Sequence, residues 1–95
     1  MAAPIDVHEI FARRFSGVEA LAYAVSSRLG QGNICLDMEE YLGSAGPEED
    51  NPFFSSAGEF TDQTAEGPFV THREDELKPF VIRNGKAYLH RYYRY

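Results

Sequence analysis

Apolar side chains recur at helical spacing twice near the N-terminus and alternate at strand spacing near the C-terminus. Asp6 followed by Glu9 carries the signature of a capped helix start, and Val7, Ile10, Phe11 and Phe15 then repeat on one face. This predicts a short helix over about residues 7–15. Ser16-Gly17-Val18-Glu19 repeats the cap pattern, and Val18, Leu21, Ala22, Val25 and Leu29 form a second apolar stripe. A second helix over about 17–29 follows, closed by Gly30 in the left-handed position common after a helix end. The two helices should meet in a corner at Ser16-Gly17.

The last seventeen residues, Pro79 to Tyr95, change period. Asn84-Gly85 separates two runs rich in β-branched and aromatic residues, and these two residue types best tolerate the positive φ of a type I′ turn. A hairpin over about 79–92 then pairs Arg83 with Lys86, Ile82 with Ala87, Val81 with Tyr88 and Phe80 with Leu89. One face, Phe80, Ile82, Ala87 and Leu89, is apolar and needs a cover. Ile34-Cys35-Leu36 is too short for a helix and reads as a brief strand near 34–36 that can extend the hairpin to three strands. Asp37 caps a turn of helix with Met38, Tyr41 and Leu42 inward. From Gly43 to Pro68 periodicity is lost: residues 43–52 read as a flexible loop, Ser55 or Ser56 caps a weak helix over about 57–65 with Phe60 inward, and Phe69-Val70 forms a buried anchor. The fold class is α+β, with N-terminal helices packed on a C-terminal hairpin.

A length of 95 residues suits one domain with a small core. No apolar run reaches the roughly 20 residues of a membrane span, no secretory signal stands at Met1 to Ile10, and a single cysteine permits no internal disulfide. A soluble cytoplasmic chain with no membrane contact is expected. The net charge of −6 is unevenly spread. Residues 1–36 are neutral, 37–76 hold twelve acids against Arg73 alone, and 77–95 hold five bases and no acid. That balance disfavours nonspecific nucleic-acid binding by the whole domain and leaves a local exception at the basic tail.

Candidate chemistry is sparse. His8, His72 and His90 pair neither with one another nor with Cys35 at a metal-ligand spacing, so no metal site is expected. Cys35, between Ile34 and Leu36, reads as a small buried hydrophobe. The acidic runs read as a solvated face, and Gly30-Gln31-Gly32 lacks the rest of a phosphate loop. Catalytic and cofactor-binding residues are therefore assigned to none. One constellation stands out: Tyr88, Tyr92, Tyr93 and Tyr95 interleave with Lys86, His90, Arg91 and Arg94. Aromatic platforms with basic neighbours suit single-stranded nucleic acid, and the same residue types are enriched at protein interfaces. Arg91, Tyr92, Tyr93, Arg94 and Tyr95 are the candidate contacts, with cross-strand packing or a protein interface preferred over nucleic acid.

Two segments carry a resemblance. Leu29-Gly30-Gln31-Gly32-Asn33-Ile34-Cys35-Leu36-Asp37 and the stretch from Lys78 to Tyr93, including Asn84-Gly85-Lys86-Ala87-Tyr88-Leu89-His90-Arg91, resemble the N-terminal region of RecD, the α subunit of exodeoxyribonuclease V (RecBCD). The match covers about half the chain. It implies residues 1–95 as a single non-catalytic N-terminal subunit-docking domain of an ATP-dependent 5′–3′ DNA helicase in double-strand break repair and recombination. The implied partners are a RecC-like subunit and the chain's own downstream motor domains, where ATP and magnesium would be held, with DNA reached only through the full complex. No active site is carried over, and Cys35, Asn84, Gly85 and Tyr88 match as structural residues. The middle, Gly43 to Leu77, departs from the family pattern. An ending on Tyr92-Tyr93-Arg94-Tyr95 fits a fragment cut in or just after a strand. The alternative is a small single-strand-binding module using the Tyr/Arg tail; a free-standing enzyme has no constellation in its favour.

Overall fold

The computed structural model describes residues 6–44, 50–73 and 75–90. Asp6 caps α1 (Val7–Ala12), its side chain accepting from the backbone N–H of His8 and Glu9. The helix is shorter than its apolar period, which runs on to Phe15. Arg14 N–H bonds to Phe11 O at 3.2 Å and Phe15 N–H to Ala12 O at 3.0 Å, tight three-residue turns that swing Phe15 inward before Gly17 reverses the chain at φ 93°. The stripe also splits: Phe11 and Phe15 pack on the core, whereas Val7 and Ile10 face solvent.

Helix α2 (Glu19–Gly30) starts two residues later than its cap signature suggests, on Val18, which has no capping side chain. Two other groups serve its first turn. Glu19 Oε1 accepts from Gly17 N–H at 2.9 Å, and Gln63 Oε1, 42 residues away, accepts from Leu21 N–H at 3.0 Å. Its end also differs from expectation, since Gly30 is the last helical residue and Gly32 takes the left-handed conformation at φ 93°. Asn33 N–H reaches Arg28 O at 3.1 Å and Gly32 N–H reaches Leu29 O at 3.0 Å, the paired bonds of a Schellman ending. Ala20, Leu21, Ala22, Ala24 and Val25 are all buried, because α2 is the central post touching α1, β1, β4 and α4 (Ala57–Gln63).

The described strands form one mixed sheet in the order β1 (Leu36–Asp37), β4 (Lys86–Leu89), β3 (Phe80–Arg83), β2 (Val70–Thr71). The hairpin has the register its sequence predicts, Phe80 opposite Leu89, Val81 opposite Tyr88, Ile82 opposite Ala87 and Arg83 opposite Lys86. Asn84 and Gly85 turn at φ 53° and 74°. The short strand lies at 36–37 rather than 34–36, pairing Leu36 with Ala87 and leaving Ile34 63% exposed. Cys35, expected to be buried, is only half-buried. A fourth strand was not foreseen: the Phe69-Val70 anchor is the start of β2, parallel to β3 with Val70 beside Phe80. Parallel neighbours usually need a crossover of about a dozen residues. Residues 72–79 suffice here because β2 spans two residues.

Asp37 caps α3 (Met38–Gly43) through Glu40 N–H, and Ser56 caps α4 through Glu59 N–H, both as the sequence indicates, although α4 stops at Gln63 rather than 65. Phe60 of α4 and Tyr41 of α3 are buried with ring centroids 5.3 Å apart. Part of the supposed flexible loop is fixed: Asn51 is 1% exposed and bonds to α2 and α3, while residues 45–49 lie outside the described residues. Among the described residues no helix is long and apolar enough to cross a membrane. The chain is an α+β domain whose helices cover one face of the sheet.

Candidate partner-docking face

The open end of the hairpin and the α1–α2 corner meet at one end of the sheet, joined by an aromatic cluster. The Phe15 ring lies 4.9 Å from Phe80, 5.0 Å from Phe11 and 5.3 Å from Phe69, mostly edge to face. Such pairs contribute about 0.5–1.5 kcal/mol each beyond area burial. The cluster is what the early end of α1 achieves, and it fixes the geometry on both sides.

On one side, α1 is locked to α2 by polar contacts. Tyr23 Oη donates to Asp6 Oδ2 at 2.7 Å, and His8 Nδ1 meets Ser26 Oγ at 2.7 Å, with the His8 ring edge-on to Tyr23 at 5.9 Å. The Tyr23 hydroxyl and the backbone N–H groups hold Asp6 below the usual carboxylate range. Burial, then the Asp6 bond, pushes the Tyr23 phenol up to about 12. Serine, histidine and aspartate thus lie close together, but they are not a nucleophilic triad. Asp6 spends its oxygens on Tyr23 and on the backbone of His8 and Glu9, so it does not orient the imidazole. The ring also packs on Gly30, where an added Cβ would meet His8 Cε1 at 3.1 Å. The arrangement is a fastener.

Two clefts flank the aromatic cluster. One, of about 340 Å³, lies between the α2 start, α4 and Phe69, rimmed by Glu59, Asp62 and Glu66. Lys78 is near this region but bonds to Gly67 O at 2.9 Å and to Glu76 at 3.3 Å. The other, of about 510 Å³, is lined by Phe11, Arg14, Pro79, Leu89 and His90. His90 is pinned by its N–H to Pro79 O at 2.9 Å.

The candidate contacts Arg91, Tyr92, Tyr93, Arg94 and Tyr95 lie outside the described residues. Of the wider Tyr/basic constellation the structure places Lys86 and Tyr88, alternate residues of β4, on the sheet face away from the helices, and His90 at the mouth of the larger cleft. The face bearing Tyr88 is not simply wet. Val81, opposite Tyr88, and Thr71, beside Val81, are both fully buried. Thr71 Oγ1 donates to Glu76 Oε2 at 2.6 Å, and that bond, with Lys78 second, holds the Glu76 carboxyl below its ordinary range. Sequence reasoning missed Arg14 as a groove residue; its single signal was a base following an apolar helical stripe. Among the described residues no group of three His, Cys, Asp or Glu side chains is gathered to hold a metal ion. No protein-family model, curated protein or solved structure matches the chain.

Proposed function

We propose that this chain is the non-catalytic N-terminal docking domain of a RecD-like helicase subunit of exodeoxyribonuclease V, acting in the cytoplasm in recombinational repair of double-strand breaks. One observation carries the reading. The two segments that resemble the family, around 29–37 and 78–93, are far apart in sequence yet hydrogen-bond as neighbouring strands, with Leu36 opposite Ala87 and Asp37 opposite Lys86. Met38 N–H also reaches Gly85 O at 3.0 Å, so the first segment is tied to the hairpin turn. Two separately weak motifs therefore behave as one structural unit, and the residues they share serve packing and turn geometry rather than chemistry.

In this reading the domain holds no nucleotide. ATP and magnesium belong to motor domains following it, and DNA is engaged only by the assembled complex. The test is twofold. The native reading frame is expected to continue into a Gly-x-x-x-x-Gly-Lys-Thr segment, and the domain is expected to co-elute with the RecC-like subunit encoded by the same genome. A frame without that segment, or failure of the two proteins to co-elute at micromolar concentration, overturns the assignment.

A further inference from the structure

Half of the apolar stripe of α1 faces solvent: Val7 is 62% and Ile10 50% exposed. Arg14 follows the end of α1, its N–H bonded to Phe11 O at 3.2 Å. Arg14 and Phe11 then form one wall of the 510 Å³ groove, and Pro79, Leu89 and His90 form the other. Val7 and Ile10 lie outside the groove lining, on the helix that supplies Phe11 to it.

Two polar groups in the groove lack partners among the described residues. Arg13 is held by Glu9 at 3.1 Å and lies over the Phe53 ring, whereas the Arg14 guanidinium has no hydrogen bond or ion pair. His90 Nε2 is buried without a partner, although the residue is anchored through its backbone. A buried imidazole nitrogen ordinarily finds a partner, and one left open beside a free guanidinium marks the place where an acceptor belongs.

We infer that this groove seats an acidic segment of a partner protein, in which an apolar side chain enters between Phe11, Pro79 and Leu89 while a neighbouring carboxylate accepts from Arg14 and from His90 Nε2–H. Val7 and Ile10 extend the apolar contact along α1. A carboxylate accepts from a guanidinium in a forked geometry and is favoured where apolar walls exclude water. A nucleic-acid strand fits less well, because the groove offers the single guanidinium of Arg14 among apolar walls, whereas a phosphate backbone is held by a track of several bases. The partner's identity as the RecC-like subunit rests on the helicase reading; its chemistry does not.

The experiment uses the 95-residue chain and fluorescence anisotropy with two labelled peptides, each with two leucines and a phenylalanine, one around an Asp-Glu pair and the other around a Lys-Arg pair. The acidic peptide is expected to bind and the basic one not. Arg14→Glu should weaken the acidic peptide about tenfold or more and transfer preference to the basic one. Ile10→Ser should weaken it without changing the melting temperature, since the side chain is half exposed. Binding of neither peptide, equal binding of both, or indifference to both substitutions overturns the inference. So does a labelled oligothymidylate that displaces the acidic peptide, or a dimer in sedimentation that Ile10→Ser abolishes, which would make a second copy the occupant. If the RecC-like subunit co-elutes equally well with a chain carrying both Ile10→Ser and Arg14→Glu, that subunit is not the occupant of the groove and the helicase reading stands. If the acidic peptide behaves as expected and that subunit does not co-elute, the groove assignment stands and the helicase reading falls.

Discussion

Asn51 is enclosed between α2 and α3 and has both polar atoms of its side chain in use. Its amide donates to Ala20 O at 2.9 Å and to Tyr41 Oη at 3.1 Å, and its carbonyl accepts from Phe53 N–H at 3.0 Å. Replacing it with alanine leaves the Phe53 N–H and the Tyr41 hydroxyl without the partner they have here. Asn51→Ala should therefore cost about 2–3 kcal/mol in a urea titration, much more than the surface substitution Asp62→Ala. Nothing in the stretch Glu48 to Pro52 announces this role, because a buried amide is chosen by the groups that surround it and those come from Ala20 and Tyr41. Gln63 was illegible for the same reason. A cap supplied across 42 residues leaves no local pattern, whereas Asp6, Asp37 and Ser56 cap the helices that immediately follow them and could be read directly.

At the scale of elements, legibility followed how local the cause is. The hairpin register was readable because turn geometry fixes it: once Asn84 and Gly85 occupy the two positive-φ positions, every pair up to Phe80 and Leu89 is determined. Gly85 has open space around it, so the cost of a side chain there is purely conformational. Gly85→Val should destabilise by about 1–3 kcal/mol. Thermal unfolding should show it as a drop of several degrees or more, and Asn84→Gly should be close to neutral. Strand β2 could not be read, since two residues hold no period and their pairing partner lies ten positions later. Helix α1 was mis-measured in the opposite sense. Its stripe continues to Phe15, but tertiary stacking on Phe80 and Phe69 is worth more than another helical turn. The candidate face was half legible: the hairpin end was visible as apolar, while Arg14 and His90 acquire meaning only when α1 folds beside Pro79.

For the whole molecule, stability should fall at both ends of the pH scale for identifiable reasons. Asp6 and Glu76 have carboxyls held below their ordinary values of 3.8 and 4.5, so their stabilisation is complete above those values and is lost as pH falls through the lower folded ones. Tyr23 is raised from 10.0 to about 12, so the folded state loses stability as pH climbs from 10 towards 12, where only the unfolded chain ionises readily. Tyr23→Phe should flatten the alkaline limb of a melting-temperature profile and, by removing the largest cause of the lowered Asp6 value, make the acid limb shallower as well. A profile unchanged at both ends would contradict the α1–α2 fastener. The strand order has a further consequence at this scale. Among the described residues the outermost strands of the sheet, β1 and β2, are two residues long each, so each of these two strands presents only a short ladder of backbone donors and acceptors to another chain. On the docking reading, a partner that meets the domain at β1 or β2 would find little backbone to pair with there and would be recognised chiefly by side chains.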